Sequence, residues 1–398
     1  MRILISDAYS PTNVGDGELV RLSIESVRSR YGVLPVVLCT DKAGFEADPE
    51  FSGTEFCFKP LSRVRWRTFD AAGRLSMLFR DVSGILLALV TSILPIPTST
   101  RKSLLRACSR TLRTAWLSEI VRADRVVGVG GGYLGDKYLR ESLITLALYR
   151  VAIGLKIDVE TMPISISSAK RTSLSLALRF FGRGVRWRSR EMTTQNILLG
   201  LGLHSDCVPD LAWLNVSVDR TDPQRITALV VAPLGSDFYG NDRPKEPKIW
   251  PHMRDYVSTL DPGARVSLIA MHYWDNRLQD GRDDQECERV AELIRGVNPQ
   301  LKVSIHKLRK YSEVLTHMSG ARFAVCERLH AALAGLAVGT QTKVVGYEPK
   351  HRGVLELAGL HTLVDESINS IQTRITSEFI AEKGAEQAVL TRQSVMEA

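Results

Sequence analysis

Two series of short apolar strand-like runs alternating with helix-like runs, parted by a polar break, constrain the fold of this chain most. The first series begins with ILISDA, a helix from about Asp16 to Arg30, and LPVVLC. After a basic segment it continues with RVVGVGGG, a helix through LITLALYRVAIGL, and VETMPISI. It closes with a helix over 172–181, GVRWRS, a helix over 191–201 and a short strand near Cys207. Around 215–224, NVSVDRTDPQ interrupts the pattern and reads as a linker. The second series contains ITALVVAP, ARVSLIAM, LKVSIH, ARFAVC and TKVVGY, with helices before Leu260, over 284–296, over 311–319 and through AALAGLAVG. Strands that are apolar throughout and separated by helices belong in parallel sheets covered on both faces. The expectation is an α/β protein of two Rossmann-like, doubly wound domains facing a cleft, over 1–215 and 225–364. A polar, helical C-terminal segment follows over 365–398. No internal repeat and no low-complexity stretch is present.

With 44% hydrophobic and 24% charged residues, the composition excludes fibrous and disordered classes. Six scattered cysteines with no C-x-x-C pair fit reduced, mostly buried thiols rather than disulfides or a zinc site. The N-terminal MRILISDAYS reads as a strand and lacks a signal peptide's apolar core, so a cytoplasmic location is expected.

The net charge of +8 is concentrated. Between Leu61 and Arg125 there are twelve basic and four acidic residues, a difference equal to the whole chain's excess. Within that segment, VSGILLALVTSILPIP over 82–97 is nearly uncharged. It is shorter than the roughly 20 residues of a membrane span and is broken by Pro95 and Pro97. A basic, apolar helical insertion over about 61–122 suits either contact with an anionic bilayer surface or a buried helix ringed by solvated arginines. No stacking-aromatic pattern or nucleic-acid module accompanies the charge, so nucleic acid is not an expected partner.

Four places carry chemistry-bearing residues. Asn13, Gly15 and Asp16 lie in the turn after the first strand, where Asp16 either meets a ligand or caps the next helix. Gly130, Gly131 and Gly132 follow a buried strand. They either let a backbone approach a ligand or form a tight packed turn, and no dinucleotide register or acidic ribose partner accompanies them. Arg188 and Arg190 alternate along a strand, and Arg190 falls at its end. There its guanidinium either forks onto a carboxylate or phosphate or makes a surface salt bridge. The fourth place is residues 326–353, where Arg328 and His330 flank the start of a helix and Lys350, His351 and Arg352 follow a strand. A helix front and a strand end are where an α/β sheet collects anions. His330 is either structural or catalytic.

Taken in order, these motifs resemble the polysaccharide pyruvyl transferase family. The landmarks are N-x-G-D at 13–16, V-G-G-G at 129–132 and W-R-S-R-E-M-T-T-Q-N from Trp187. C-V-P-D-L-A-W at 207–213 and R-L-H…G-Y-E-P-K over 328–350 complete the set. The match runs from residue 1 to about 360, and the insertion over 61–122 lies outside it. The resemblance implies a GT-B-like fold and transfer of a pyruvyl group from phosphoenolpyruvate onto two sugar hydroxyls, giving a cyclic ketal and phosphate. It implies that Arg190, Arg328, Leu329 and His330 meet the donor, with Lys350 matching a recurrent lysine.

The donor-side set expected here is Arg190, Arg328, Leu329, Lys350, Gly131 and Gly132, with the two arginines coming from opposite domains. His330 is expected as general acid and Asp16 as base or acceptor ligand beside Asn13. No cofactor or metal is expected. Expected acceptors are a sugar of a polysaccharide, a lipid-linked glycan or a glycolipid. A lipid-linked acceptor would place the enzyme at the inner face of the cell membrane. The competing expectations are a GT-B glycosyltransferase using a nucleotide-sugar and a non-catalytic carbohydrate- or membrane-binding relative.

Overall fold

The computed structural model describes residues 1–216, 226–235, 238, 244–273 and 281–396. Most of the expected linker, from 217 onward, lies outside the described residues. The chain forms two compact units. One comprises 1–11, 19–211 and 393–398, and the other 12–18 and 212–392. The helix Val14–Tyr31 thus begins in the second unit, and the first turn of the N-x-G-D motif is grouped with residues two hundred positions and more downstream.

The first unit holds a parallel sheet of nine strands: β1 (Ile3–Ala8), β2 (Val36–Cys39), β3 (Glu55–Phe58), β4 (Arg125–Gly128), β5 (Gly131–Leu134), β6 (Asp158–Thr161), β7 (Ile164–Ile166), β8 (Val185–Ser189) and β9 (Ser205–Cys207). Their order is β3-β2-β1-β4-β6-β8-β7-β5, with β9 on β8. β1 lies between β2 and β4, pairing Leu4 with Val36 on one side and Val126 on the other. The order reverses at β1/β4. With right-handed crossovers, the helices of the two halves must then cover opposite faces. Two expected elements differ. VETMPISI is split into β6 and β7 at Met162–Pro163, because proline has no N–H for the ladder. The glycine run enters a strand of its own, β5, paired with β7.

The second unit holds a five-stranded parallel sheet of β10 (Thr227–Ala232), β11 (Arg265–Ala270), β12 (Lys302–Lys307), β13 (Ala321–Cys326) and β14 (Gln341–Val344), ordered β12-β11-β10-β13-β14. This is again a doubly wound order, reversing at β10/β13. β10, β11 and β13 are buried almost throughout, as strands covered on both faces must be. The tail is helical, with Ile368–Arg374 and Ser377–Val395, and its last residues are grouped with the first unit.

Within the 61–122 insertion, the apolar run is longer than its composition suggested. Asp70 caps a helix, Ala71–Ile93, by accepting from the Gly73 N–H at 2.8 Å. The helix ends before Pro95, with Leu94 in the extended conformation that a following proline favours. Among the described residues this one helix is long and apolar enough to cross a membrane, by length and composition only.

Candidate active site

In each unit the motif residues lie at the carboxyl ends of the strands: Arg190 follows β8, two strands from the reversal, whereas the glycine run follows β4 and Arg328 follows β13, the strands at which the order reverses. That is where open α/β sheets leave a crevice.

In the second unit, β13 ends at Cys326 and the helix Leu329–Ala337 begins three residues later, with Arg328 in the extended N-cap conformation. Arg328 sends Nε to Asp283 Oδ2 at 2.9 Å and a terminal nitrogen to Oδ1, a two-pronged ion pair. Asp283 opens the helix that follows β11 and is fully buried. It also accepts from the backbone N–H groups of Gly235 at 2.8 Å and His272 at 3.0 Å. A single carboxylate therefore fixes the loops after β10, β11 and β13. Buried Glu327 adds to this by accepting from the Leu234 N–H at 2.9 Å.

His330 lies half-buried in the first turn of the Leu329–Ala337 helix, and its carbonyl accepts from the Tyr311 hydroxyl at 2.8 Å. Its ring packs directly on Gly15. A Cβ built on Gly15 would stand 2.3 Å from His330 Nδ1. The 13–16 turn is held there by a backbone bond from Val14 to Met271 at 3.0 Å and by the bridge between Asn13 and His272. Two motifs more than three hundred residues apart thus meet as backbone against imidazole. The cap of the Val14–Tyr31 helix is Asn13, whose Oδ1 accepts from the Asp16 N–H at 3.5 Å. The cap reading of Asp16 is corrected accordingly: Asp16 sits in the first turn, half-exposed.

Leu329 is buried and packs into the hydrophobic core of the second unit. Lys350 pairs with Glu348 at 2.6 Å. His351, counted among the cations in the sequence, is fully buried. Burial, with the Lys350 ammonium second, pulls its pKa down to about 4, although carbonyls of Glu348 and Glu327 face its two ring nitrogens at 3.1 Å.

In the first unit, Arg190 follows β8 and is 1% exposed. It donates to Ser165 Oγ at 2.7 Å and to Asp210 at 2.5 Å. Burial opposes its charge, and Asp210 with Glu191 more than restores it, so its pKa rises further above the usual arginine range. The surface salt bridge expected as one alternative is instead a buried one. The guanidinium ties the W-R-S-R motif to C-V-P-D-L-A-W rather than standing open. Gly130 packs against Leu211, where a Cβ would come within 3.1 Å, and Gly131, at φ +124°, gives its N–H to Pro163 O at 3.1 Å. Gly131 and Gly132 open β5, so the glycine run serves close packing of neighbouring chain segments.

Sequence reasoning missed four acids: Asp7, Asp210, Asp283 and Glu327. Asp283 is hidden in DDQECERV, which reads as an ordinary acidic helix start, and Asp210 lies inside a motif quoted for its pattern alone. Asp7, near the end of β1, holds φ +73°, a conformation costly for a residue with a Cβ. It accepts from Ser6 Oγ at 2.7 Å, Thr145 Oγ1 at 2.5 Å and the Tyr149 hydroxyl at 2.9 Å. Burial first, and the Asp7 charge second, push Tyr149 well above its ordinary pKa, so it stays a donor. The positive φ was the only signal of Asp7, and it is not visible in sequence.

Solved structures share the fold. The Anabaena protein Alr3699/HepE, crystallised with UDP and glucose, aligns over 100% of this chain and 98% of its own, at 12% identity and a TM-score of 0.51. The UDP-GlcNAc 2-epimerase of Neisseria meningitidis aligns over 98% and 94%, at 10% identity and a TM-score of 0.50. At such identities the likeness is one of architecture, two parallel-sheet α/β domains of GT-B-like kind. No curated protein matches the sequence. The family model of polysaccharide pyruvyl transferases matches residues 55–349, a span that takes in the motifs from the glycine run to Pro349 together with the 61–122 insertion, and leaves out the N-x-G-D turn at 13–16. With the ordered motifs folding onto two sheet edges and this match covering most of the chain, the protein belongs to the polysaccharide pyruvyl transferase family.

Proposed function

We propose that the protein transfers a pyruvyl group from phosphoenolpyruvate to two hydroxyls of one sugar residue in a polysaccharide, lipid-linked glycan or glycolipid, forming a cyclic ketal. The observation that carries this reading is the second-unit edge, where an anchored arginine, a helix N-terminus and an imidazole seated on glycine lie within three residues. An anion is attracted there by the guanidinium and by the positive end of the helix dipole. Phosphoenolpyruvate carries two anionic groups and a carbon that must be protonated.

In the proposed reaction His330, as imidazolium, gives its proton to the methylene carbon of the enol. The cation formed at the adjacent carbon accepts the first sugar hydroxyl, which loses its proton. The carbon–oxygen bond to phosphate then breaks and phosphate leaves with the bonding pair. The second hydroxyl adds to the same carbon and closes the ring as its proton departs. A helix N-terminus disfavours an imidazolium on its own, and the charge of the bound donor's carboxylate and phosphate compensates for it. Asp16, in the turn against which His330 packs, is the proposed base or acceptor ligand, with Asn13 beside it. Lys350 adds positive charge to the same loop region.

The test is incubation with phosphoenolpyruvate and a panel of sugar acceptors, read as phosphate release and as the pyruvyl mass gain on the sugar. Activity is expected for the wild type. His330→Ala is expected to lower kcat by about a hundred- to ten-thousand-fold, the usual contribution of a general acid. A near-wild-type kcat in that variant removes the assignment. Turnover with a nucleotide-sugar and none with phosphoenolpyruvate replaces the reading with glycosyl transfer.

A further inference from the structure

We propose that the outward face of the helix Ala71–Ile93 docks on an anionic lipid bilayer, lying along its surface. A helix on a water-soluble protein ordinarily turns its large apolar side chains inward and its polar ones outward. Here the arrangement is reversed. Leu75, Phe79, Val82, Leu86, Val90 and Ile93 follow the spacing of one helix face, and all six are exposed, Phe79 at 66% and Leu86 at 58%. The buried positions are Met77, Asp81, Gly84, Ala88, Thr91 and Ser92, which are mostly small or polar.

The helix cannot roll to hide the apolar face, because its inner face is fitted to its neighbours. Asp81 accepts from Trp116 Nε1 at 3.0 Å and from the Leu61 N–H at 2.8 Å. A Cβ on Gly84 would stand 3.0 Å from the Trp116 ring, and one on Gly154 would stand 2.5 Å from Ser92 Cβ. These contacts also argue against a spanning role. Insertion across the bilayer would strip Asp81 of its partners and carry a carboxylate into hydrocarbon.

Charge selects the occupant. From Val82 to Ser118 the chain carries Arg101, Lys102, Arg106, Arg110 and Arg113 and no acidic residue. The helix Thr98–Leu112, which packs against Ala71–Ile93, holds the first four of these, with Arg106 and Arg110 exposed. Apolar side chains beside unopposed cations match acyl chains beneath anionic headgroups. A second copy of this chain would bring two such basic hairpins together, against their mutual repulsion.

The experiment is flotation of the full chain with phosphatidylglycerol vesicles or with phosphatidylcholine vesicles, without donor or acceptor. Its outcome is therefore independent of the pyruvyl reaction. The wild type is expected to float with phosphatidylglycerol, at least about tenfold less with phosphatidylcholine, and less in about 0.5 M salt. Phe79→Ser with Leu86→Ser, and separately Arg106→Glu with Arg110→Glu, are each expected to lower binding about tenfold or more. Far-UV circular dichroism and light-scattering mass are expected to stay unchanged in both. Absence of wild-type flotation, or flotation unaffected by either double variant, overturns the proposal. A dimer that becomes a monomer in Phe79→Ser/Leu86→Ser overturns it in favour of an interface between copies.

Discussion

Gly15 and His330 define the candidate site at the scale of single residues. The imidazole occupies the space a side chain at 15 would need, so the position tolerates only glycine while the ring stays in place. Gly15→Ala is expected to lower kcat about as far as loss of the acid itself, a hundredfold or more, because the ring must rotate away. The melting temperature should move little, since the histidine is half-exposed and can yield; steady-state kinetics beside a thermal melt checks both. His351 is the opposite kind of histidine. Its folded pKa of about 4 lies below the ordinary value near 6.5, so the unfolded chain binds the extra proton in between. Stability from this group is complete above about pH 6.5 and falls by up to about 1.4 kcal/mol per pH unit as the pH drops toward 4. Urea unfolding at pH 7 and pH 5 should show a larger loss in the wild type than in His351→Gln. Nothing in the strings ERLHAA and EPKHRG distinguishes these two histidines, and burial separates them.

Among elements, the joints between strand ends carry the design. Arg190 and Asp210 are both buried, so removing Asp210 takes away the main counter-charge of Arg190 and leaves it chiefly Glu191. Asp210→Ala is expected to cost about 3–5 kcal/mol, whereas Arg190→Met combined with Asp210→Leu should recover most of it. Urea midpoints of the wild type, the single and the double variant measure this. The sequence places Arg190 at a strand end, and the structure puts it there. Its partner lies twenty residues on, across β9, and no local periodicity links the two. The glycine run illustrates the same limit. Three glycines after a strand announce a close approach, but only the packing identifies what approaches, which is Pro163 and Leu211. The helix Ala71–Ile93 was legible as apolar; which of its faces is turned outward was not.

On the scale of the whole molecule, the two doubly wound sheets were legible from the alternation of buried strands and helices. That alternation is local, and parallel pairing of such strands is nearly obligatory. The family also followed from the order of motifs, without coordinates. Donor binding is the prediction that belongs here. Phosphoenolpyruvate at about a hundred times its dissociation constant should stabilise the chain by about 2.7 kcal/mol, read as a rise in melting temperature. Arg328→Ala should abolish the rise while His330→Ala keeps most of it, because the arginine is the proposed charge anchor. The chain by itself determined most of the strands, though not β3 or the break within VETMPISI, together with the class of fold, the family and the position of each cation along it. Tertiary structure decided what each of those charges faces: Arg328 on Asp283, Arg190 on Asp210, His330 on Gly15, His351 with two carbonyls. The reason is physical. Secondary structure is set by side chains a few residues apart, whereas a buried charge is governed by partners that only the folded chain brings within hydrogen-bond reach.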